Sequence, residues 1–301
     1  MSRFEPHVEE VCAVIVTWQA DTSQVAALVQ KLISQQCAVI VIDNGSENVA
    51  ALSSEPVFVE PSVTLECWPE NRGLAAALNA GLLMVRAQGY RFALLFDQDS
   101  DLANGFCRGM LRAWHEAKSL NSPVAAIGPR LLDPASGRKT PFRCFRFLYR
   151  TDAPVAPKLY ETDFLITSGT LLSVSALAET GLMKENYFID NIDLEWCFRA
   201  RSKGFALFGT DHAVLYHRIG DVSNSPFVKA GLMVEHSPLR SYYSTRNRFH
   251  LRRQDYAPTD WKVRDALRFF IKSMWLVLFT SRRAEYLQQI RRGMRDAETL
   301  V

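Results

Sequence analysis

Long apolar runs are absent from this 301-residue sequence. No stretch reaches 18 consecutive apolar residues, and the apolar segment Met274–Phe279 is closely flanked by Lys272 and Arg282. A spanning helix needs roughly 20 such residues, so the sequence predicts no membrane-spanning helix. The segment Met1–Glu10 contains acidic residues and no apolar core of signal-peptide length. We therefore expect that the protein is not exported through the Sec pathway and stays in the cytoplasm.

Cysteines are few and widely spaced. The six cysteines, at positions 12, 37, 67, 107, 144 and 197, include no C-x-x-C pair, which argues against a disulfide framework and against a zinc site. Internal repeats and low-complexity segments are also absent, which excludes collagen-like, coiled-coil and disordered chains. With 48% apolar and 22% charged residues, the composition is typical of a globular domain with an appendage.

Charge is distributed unevenly along the chain. The formal net charge is only +3, yet residues 239–301 contain 14 Lys/Arg against 6 Asp/Glu, whereas residues 1–238 contain 21 against 26. The C-terminal segment is therefore predicted to be a basic extension that is electrostatically distinct from the rest.

Short β-branched runs alternate with helical patterns over residues 1–130, which indicates an α/β fold with a mainly parallel sheet flanked by helices. A loop is predicted over Arg138–Pro157, and a second structured unit follows it. The predicted strands are Val11–Thr17, Ala38–Ile42, Phe92–Phe96, Val124–Ile127, Phe164–Thr167 and Ala206–Tyr216. The predicted helices are Ser23–Gln35, Leu74–Arg86, Phe106–Ala117, Ser175–Thr180, Ile192–Lys203, Leu239–Arg253, Trp261–Phe279 and Ala284–Met294. Pro258 separates Leu239–Arg253 from Trp261–Phe279.

Polar residues directly after each parallel strand are the first candidates for a ligand site, because such sheets bind ligands at the carboxyl ends of their strands. Asp43-Asn44-Gly45-Ser46 follows the second predicted strand, and its carboxylate could accept a hydrogen bond from a nucleobase or ribose. A simple turn is the alternative, because D-N-G is a common turn sequence.

Three acidic residues follow the predicted strand Phe92–Phe96, in the sequence Asp97-Gln98-Asp99-Ser100-Asp101. On an extension of the strand, Asp97 and Asp99 would point the same way and offer two oxygen ligands to a divalent cation. The alternative is a solvated acidic turn that caps the helix beginning at Phe106. We favour the metal, because closely packed carboxylates repel one another without a counter-charge.

Two further segments could contribute to the same site. Asn71-Arg72-Gly73 precedes a helix that contains Asn79, and a glycine there would let a phosphate approach the backbone while Arg72 contacts it. A helix cap is an equally good interpretation. His217 follows a predicted strand and could be a further metal ligand or phosphate partner, although a lone histidine is more often structural.

Asp190 and Asp193 open the predicted helix Ile192–Lys203. Asp190 as the N-cap and Asp193 in the first turn would suit a helix start. A carboxylate at such a position is equally suited to take a proton from an acceptor hydroxyl. In the next helix the cluster Arg240, Tyr242, Tyr243, Arg246, Asn247 and Arg248 suggests either a solvated basic face or contact with phosphate or membrane.

The ordered set of these segments resembles family 2 glycosyltransferases with the GT-A fold, and within them the bacterial rhamnosyltransferases that use dTDP-L-rhamnose. The resemblance covers about residues 10–250. It is carried by V-I-D-N-G-S (41–46), N-R-G-L-A-A-A-L-N-A-G (71–81), L-L-F-D-Q-D-S (94–100), T-S-G-T-L (167–171), F-I-D-N-I-D-L-E-W-C-F-R-A (188–200), H-R-I-G (217–220) and Y-Y-S-T-R-N (242–247).

The resemblance implies a role for each matched residue. Asp97 and Asp99 match the D-x-D signature, so that Asp99, with Asp97 and His217, would hold Mg²⁺ or Mn²⁺ on the diphosphate. Asp193 aligns with the family's general base when Cys197 and Arg199 are matched. The family often has Glu-Asp where this chain has Ile192-Asp193, which keeps Asp190 as an alternative base. The implied donor contacts are Thr17, Asp43, Asn44, Asn71, Arg72, Gly73, Asn79, Asp97, Gln98 and Arg246.

The resemblance also implies the reaction and its partners. A base would deprotonate the acceptor hydroxyl, which attacks the donor sugar with inversion, and no covalent sugar–enzyme adduct is required. The expected donor is dTDP-L-rhamnose, and the expected acceptor is a cell-surface polysaccharide of the O-antigen type or a lipid-linked glycan at the inner face of the cytoplasmic membrane. No nucleic-acid partner is expected. A catalytic domain over 1–238 would comprise a nucleotide-binding part (about 10–130) and an acceptor part (about 160–238).

The basic extension 239–301 has two interpretations. Trp261, Phe269, Phe270, Trp275 and Phe279 are interspersed with basic residues, as in an interfacial helix on anionic lipid. A helical cap on the catalytic domain or a homodimer contact is the alternative.

Other activities are weaker alternatives. The donor could be a UDP-hexose or UDP-galactofuranose. A sugar nucleotidyltransferase would need a glycine-rich basic loop after the first strand, where this chain has Thr17-Trp18-Gln19-Ala20-Asp21. A non-catalytic membrane adaptor would not need Asp97, Asp99 and Asp193 together.

Overall fold

A computed structural model describes residues 7–120, 122–145, 154–216, 237–280 and 282–300. Its described strands form one mixed sheet of ten strands with the order β3-β2-β1-β4-β9-β6-β10-β8-β7, and β5 pairs with β10. The strands are β1 Val11–Thr17, β2 Ala38–Asp43, β3 Val63–Cys67, β4 Phe92–Asp97, β5 Asp101–Leu102, β6 Val124–Leu132, β7 Pro154–Ala156, β8 Leu159–Thr162, β9 Leu171–Ser173 and β10 Ala206–Tyr216.

Helices cover both faces of the sheet. Val25, Leu28 and Leu32 of α1 share one core with the sheet, whereas Leu78 and Leu82 of α3 pack in a second core. The helices are α1 Thr22–Ser34, α2 Val49–Ser53, α3 Leu74–Ala87, α4 Phe106–Lys118, α5 Val174–Thr180, α6 Ile192–Ser202, α7 Pro238–Arg253, α8 Thr259–Phe279 and α9 Arg283–Asp296, with 3₁₀ turns at Val8–Glu10, Pro56–Val59 and Glu185–Tyr187. The α/β class and the helical C-terminal extension predicted from the sequence are confirmed.

The parallel half of the sheet positions the polar strand ends. Strands β3, β2, β1 and β4 are mutually parallel, with Thr17 opposite Asp43 and Val16 opposite Asp97. Every residue of β1 is buried, because its apolar run lies between two helical layers. The register therefore brings Thr17, Asp43 and Asp97 to one edge of the sheet.

Several sequence-based assignments of secondary structure need correction, and the short elements β5, β8, β9 and α2 were also not predicted. Phe164–Thr167 is not a strand: Thr170 Oγ1 donates to Ile166 O and Leu165 N donates to Cys197 Sγ, so this stretch bonds to side chains instead of a neighbouring strand. The predicted loop Arg138–Pro157 ends in strand β7. Strand β3 was missed because V-T-L-E-C is only partly buried at the edge of the sheet and lacks a clear apolar pattern.

The C-terminal helices pack on the sheet domain and on one another. Trp261 packs against Phe198 of α6, with ring centroids 5.3 Å apart, while Trp275 of α8 and Tyr286 of α9 share a separate cluster. The two tryptophans are therefore buried, which contradicts their predicted place on an interfacial surface. Among the described residues no helix is both long and apolar enough to cross a membrane.

Candidate active site

Asp43 lies at the end of β2 with its carboxylate buried and bonded on both oxygens. Thr17 Oγ1 donates to Asp43 Oδ2 at 2.9 Å. Ser46 donates through its backbone N–H to Oδ1 at 2.9 Å and through its hydroxyl to Oδ2 at 2.6 Å. Ser46 Oγ in turn accepts from Gln19 N at 2.8 Å. These bonds fix the orientation of the carboxylate at the edge where the parallel strands end.

A network of amide side chains joins the turn after β2 to the segment before α3. Asn44 Nδ2 donates to Asn71 Oδ1 at 3.1 Å, and Asn44 Oδ1 accepts from Arg72 N at 2.9 Å. Asn71 Oδ1 also accepts from Gly73 N at 2.9 Å. The guanidinium of Arg72 lies 4.8 Å from the centre of the Trp68 ring. The structure therefore brings Asn44, Asn71, Arg72 and Gly73 together.

Asp97, Gln98 and Asp99 form a turn rather than a continued strand. Strand β4 ends at Asp97, and Ser100 N donates to Asp97 O at 3.1 Å, which closes the turn. The predicted extension of the strand, with Asp97 and Asp99 pointing the same way on it, is therefore wrong. Ser168 Oγ donates to Asp97 Oδ2, and Gln98 Oε1 accepts from Trp18 N at 2.8 Å.

The acidic residues of this segment have different surroundings. Asp101 forms an ion pair with Lys31, whereas Asp99 is exposed. Asp99, Asp101 and Tyr216 line a cleft of about 620 Å³. The hydroxyl of Ser100, next to Asp99, is buried without a hydrogen-bond partner in the part of the chain that the structure describes.

These residues provide oxygen donors of the kind that Mg²⁺ and Mn²⁺ prefer. No group of three or more His, Cys, Asp or Glu side chains suited to a metal ion occurs within the described ranges. A site completed by substrate phosphates needs only one or two carboxylates, so Asp97 and Asp99 fit such a site. The predicted ligand His217 lies outside the described residues.

Asp193 is half-buried in the first turn of α6. Desolvation by the surrounding protein raises the pKa of Asp193 to about 6, and the charges of Asp190 and Asp97 add to the rise, against the bond that Leu194 N donates to its carboxylate. A carboxyl group with this pKa is ionised near neutral pH and is more basic than an ordinary aspartate. The α6 start and the end of β4 are thus close enough for their charges to interact.

Asp190 occupies a different electrostatic environment. Arg240 of α7 donates to both oxygens of Asp190, with Nε–Oδ1 and Nε–Oδ2 distances of 3.2 Å and an Nη2–Oδ1 distance of 3.0 Å. The predicted capping role of Asp190 is wrong: the N-cap of α6 is Asn191, which has a left-handed backbone and no side-chain cap bond. The carboxylate of Asp190 therefore bonds to Arg240 of α7 and does not cap α6.

Two predicted donor contacts lie within internal networks. The amide of Asn79 is buried and pairs with Met183, donating to its carbonyl and accepting from its N–H, each at 2.9 Å. Arg246 Nη2 donates to the carbonyl oxygens of Asn186 and Tyr187. Both side chains thus contact the segment that leads to Asp190. The expectation of a solvated basic face on α7 is also wrong, because Arg248 is paired with the buried Asp265 at 3.0 Å.

Several residues that organise this edge were given no role from the sequence. Ser168 and Asn247 lie inside the T-S-G-T-L and Y-Y-S-T-R-N segments, but only the fold reveals that both are buried and what they contact. Glu195 is fully buried, pairs with Arg199 at 2.8 Å and accepts from Tyr256 OH at 2.7 Å. The i, i+4 spacing of this pair was a usable signal.

Comparisons with known proteins agree with this geometry. The family model for glycosyl transferase family 2 matches residues 12–181. The dTDP-rhamnosyl transferase RfbF of Shigella flexneri is 28% identical over 284 residues, which cover 93% of this chain and 92% of that protein.

Solved glycosyltransferases share the fold at low sequence identity. GalNAc-T7 with UDP, GalNAc and Mn²⁺ superposes with a TM-score of 0.61 at 12% identity over 96% of this chain, which spans only 56% of that chain. Residues 1–349 of TarS from S. aureus with UDP-GlcNAc give a TM-score of 0.59 at 12% identity, over 97% of this chain and 83% of that one. The mannosyltransferase PcManGT from Pyrobaculum calidifontis with GDP-Man and Mn²⁺ gives 0.55 at 15% identity, over 99% and 79%.

Proposed function

The chain belongs to glycosyl transferase family 2, with a GT-A fold, and we propose that it transfers L-rhamnose from dTDP-L-rhamnose to a hydroxyl group of a cell-surface polysaccharide or glycolipid precursor. The family makes it a glycosyltransferase. The choice of donor is supported by the similarity to the Shigella flexneri dTDP-rhamnosyl transferase along nearly the whole of both chains.

The observation that carries the proposed chemistry is the environment of Asp193. Its pKa of about 6, and the contribution of the Asp97 charge to that value, support a basic carboxylate near the D-x-D segment. We assign the general base to Asp193 rather than Asp190, because Asp190 is held by the Arg240 guanidinium. A general base whose pKa lies near the working pH is largely ionised and still basic enough to accept a proton.

We assign donor binding to the strand ends. Asp43, held by Thr17 and Ser46, would accept from the base or ribose, and the Asn44 to Gly73 network would shape the nucleotide pocket. Mg²⁺ or Mn²⁺, held by Asp99 and Asp97, would neutralise negative charge on the departing diphosphate. GalNAc-T7 and PcManGT, which share the fold, are both described with Mn²⁺.

The protein's own residues then account for the transfer step. Asp193 takes the proton from the acceptor hydroxyl, and that oxygen forms a bond to the anomeric carbon from the face opposite the nucleotide. The bond from the anomeric carbon to the diphosphate oxygen breaks, and its electron pair leaves with the diphosphate. The configuration is inverted, and alignment of the two substrates supplies much of the acceleration.

A donor panel tests this proposal directly. We expect release of dTDP from dTDP-L-rhamnose with Mg²⁺ or Mn²⁺ and a suitable glycan acceptor, and little turnover of UDP-glucose or UDP-galactofuranose. Preferential turnover of a UDP-sugar would show that the donor is that UDP-sugar and not dTDP-L-rhamnose. Formation of a sugar nucleotide from a nucleoside triphosphate and a sugar 1-phosphate would instead support a nucleotidyltransferase.

We further propose that the catalytic part, residues 1–238, works at the inner face of the cytoplasmic membrane through its C-terminal extension, residues 239–301. Helix α8 is apolar on two sides. Its inner side buries Trp261 and Trp275, while its outer side exposes large apolar side chains at helical spacing. The exposed residues are Val263, Leu267, Phe270, Ile271, Met274 and Leu278. We call this set the α8 stripe.

The charge around the α8 stripe favours anionic lipid over a second copy of the chain. The extension has more than twice as many basic as acidic residues, so two copies facing each other would repel, whereas each basic residue near an anionic surface contributes about 1 kcal/mol. An apolar stripe bordered by Arg264 and Arg268 is the pattern of an interfacial helix.

Vesicle sedimentation with phosphatidylglycerol and phosphatidylcholine tests this placement. We expect binding to the anionic vesicles that Leu267→Glu weakens and that Leu83→Glu, at a similarly exposed leucine on α3, leaves unchanged. Absence of binding, or equal loss in both variants, would contradict a membrane role. A dimer in sedimentation velocity that only Leu267→Glu dissociates would support the homodimer.

A further inference from the structure

The segment just before α6 has an unusual backbone. Phe188, Asp190 and Asn191 all have positive φ angles, of 62°, 66° and 61°, although none of them is glycine. Ile189 N donates to Tyr187 O at 2.7 Å across Phe188, which is a γ-turn of the rare kind with positive φ. Such conformations persist only where the surrounding structure holds them, and they concentrate at functional sites.

Asn247 of α7 donates to three carbonyl groups of this segment. The side chain is fully buried, and its Nδ2 lies 2.8 Å from the carbonyl oxygens of Tyr187 and Ile189 and 2.9 Å from that of Asp190. Its Oδ1 accepts from Nε and Nη2 of Arg246 at 3.1 and 3.0 Å. The guanidinium can only donate, so this contact also fixes which end of the amide faces the carbonyl groups.

The restrained segment connects two parts of the candidate site. Phe188 O accepts from Leu74 N at 2.7 Å, which joins the segment to the first residue of α3 next to Gly73. At its other end, the segment leads into α6, where Asp193 lies two residues after Asn191. The segment that this amide holds thus lies between the predicted donor segment and the predicted base.

We propose that Asn247 is a positioning residue for catalysis: by holding the carbonyl groups of residues 187, 189 and 190, it sets where α6 starts and therefore where the Asp193 carboxylate meets the acceptor hydroxyl. The inference rests on the proposed role of Asp193. Displacement of a reacting group by about 1 Å can lower a rate on the order of 10²-fold. An anchor that ends three residues before Asp193 can therefore affect the rate through a small shift of the Asp193 carboxylate.

The test compares Asn247→Ala with Thr245→Val. Thr245 is a buried residue on the same helix, next to Gly293 of α9, so its substitution perturbs α7 without touching the carbonyl groups of the segment. For Asn247→Ala we expect kcat to fall by roughly 10- to 100-fold, with the KM for the nucleotide sugar and the affinity for dTDP within about twofold of wild type. Thr245→Val should keep kcat within about twofold.

The pH profile separates positioning from a general loss of structure. A relaxed segment would expose Asp193 to water, so the acid limb of log kcat in Asn247→Ala should move to lower pH than in wild type. If Asn247→Ala is poorly folded, Asn247→Ser, which keeps one donor, should show the same changes to a smaller degree. An unchanged kcat, or equal losses of kcat and dTDP affinity in both variants, would overturn the inference.

Failure of the proposed function has a different signature. If Asp193→Asn retains turnover, the base assignment is wrong, and hydrogen exchange of the segment then decides the remaining claim. Faster exchange at Ile189 N in Asn247→Ala than in Thr245→Val would still support the anchor. Equal exchange rates in the two variants would show that Asn247 does not anchor the segment.

Discussion

Arg240 and Asp190 form an ion pair in which one guanidinium contacts both carboxylate oxygens, at 3.0 to 3.2 Å. Three residues along the chain, burial raises the pKa of Asp193 to about 6, and the charges of Asp190 and Asp97 add to the rise. Two aspartates that are equivalent candidates in the sequence therefore have different chemical characters in the folded protein. Asp190 is paired with the Arg240 guanidinium, whereas Asp193 has no such cation among the described residues and is kept basic by burial and by its acidic neighbours.

This difference predicts the pH dependence of the reaction. Asp193 must be ionised to accept a proton, so kcat should rise with pH through the region of its pKa, about 6. Asp193→Asn should lower kcat by roughly 10²- to 10⁴-fold and remove this limb, while Asp190→Asn should keep it. Steady-state kinetics with dTDP-L-rhamnose between pH 5 and 9 would measure both. A limb that survives in Asp193→Asn would assign the titration to another group.

The same two aspartates should affect stability with opposite signs. The pKa of Asp193 is raised on folding from 3.8 to about 6, so the folded state binds the proton more tightly, and stability falls as pH rises across that interval. Asp193→Asn should therefore stabilise the protein at pH 8, by about 1–3 kcal/mol, and this gain should vanish below pH 4.

Asp190→Asn is the matched comparison for this stability effect. Removing its carboxylate leaves the half-exposed Arg240 without this partner, which should cost up to about 1 kcal/mol at pH 8. Thermal unfolding at pH 8 and at pH 4 would distinguish the variants. Destabilisation by Asp193→Asn at pH 8 would contradict the inference that the half-buried Asp193 charge is costly in the folded state.

The alternation of strands and helices made the fold predictable from the sequence. Strands β1, β2 and β4 and helices α1, α3 and α4 were predicted to within one or two residues, because each has a continuous apolar run or a clear helical pattern. The edge strand β3 and the short β9 were missed. Their assignment depends on pairing with neighbours that are distant in sequence, which no local pattern reports.

The sequence allowed the residues of the site to be predicted better than the contacts between them. Asp43, Asp97 and Asp193 were recognisable from their places after strands or at a helix start, but their roles depend on partners such as Ser46, Ser168 and Arg240 that come from other segments. The left-handed backbone before α6 also could not be read from residue types, because non-glycine residues rarely adopt such conformations.

A further prediction separates the acidic residues of the D-x-D segment. Asp99 is exposed next to the cleft, while Asp101 is paired with Lys31. Asp99→Asn should weaken Mn²⁺-dependent binding of dTDP by roughly 10- to 100-fold, and Asp101→Asn should change it by less than about twofold. Calorimetric titration of dTDP with and without Mn²⁺ would measure this. Equal effects of the two substitutions would argue for a general electrostatic field rather than a metal site at Asp99.

The last prediction concerns Gly45, in the turn after β2. Gly45 has a φ of +80°, and a Cβ atom there would lie 2.3 Å from the backbone carbon of Glu70 and 2.6 Å from Asn71 N. Gly89 has nearly the same φ, +82°, but a Cβ atom there would meet no atom within 4 Å. Gly89→Ala should therefore cost only the left-handed strain, about 1 kcal/mol.

Gly45→Ala should add a backbone clash that pushes the turn after β2 away from Glu70 and Asn71 and misplaces Asn44 and Asp43. We expect a larger loss of thermal stability than in Gly89→Ala, together with weaker dTDP binding that Gly89→Ala does not show. Because the two glycines have nearly the same φ, a difference between the variants mainly reports the close approach at Gly45. Equal stabilities and unchanged nucleotide affinity in both would show that the turn tolerates a side chain and does not shape the nucleotide pocket.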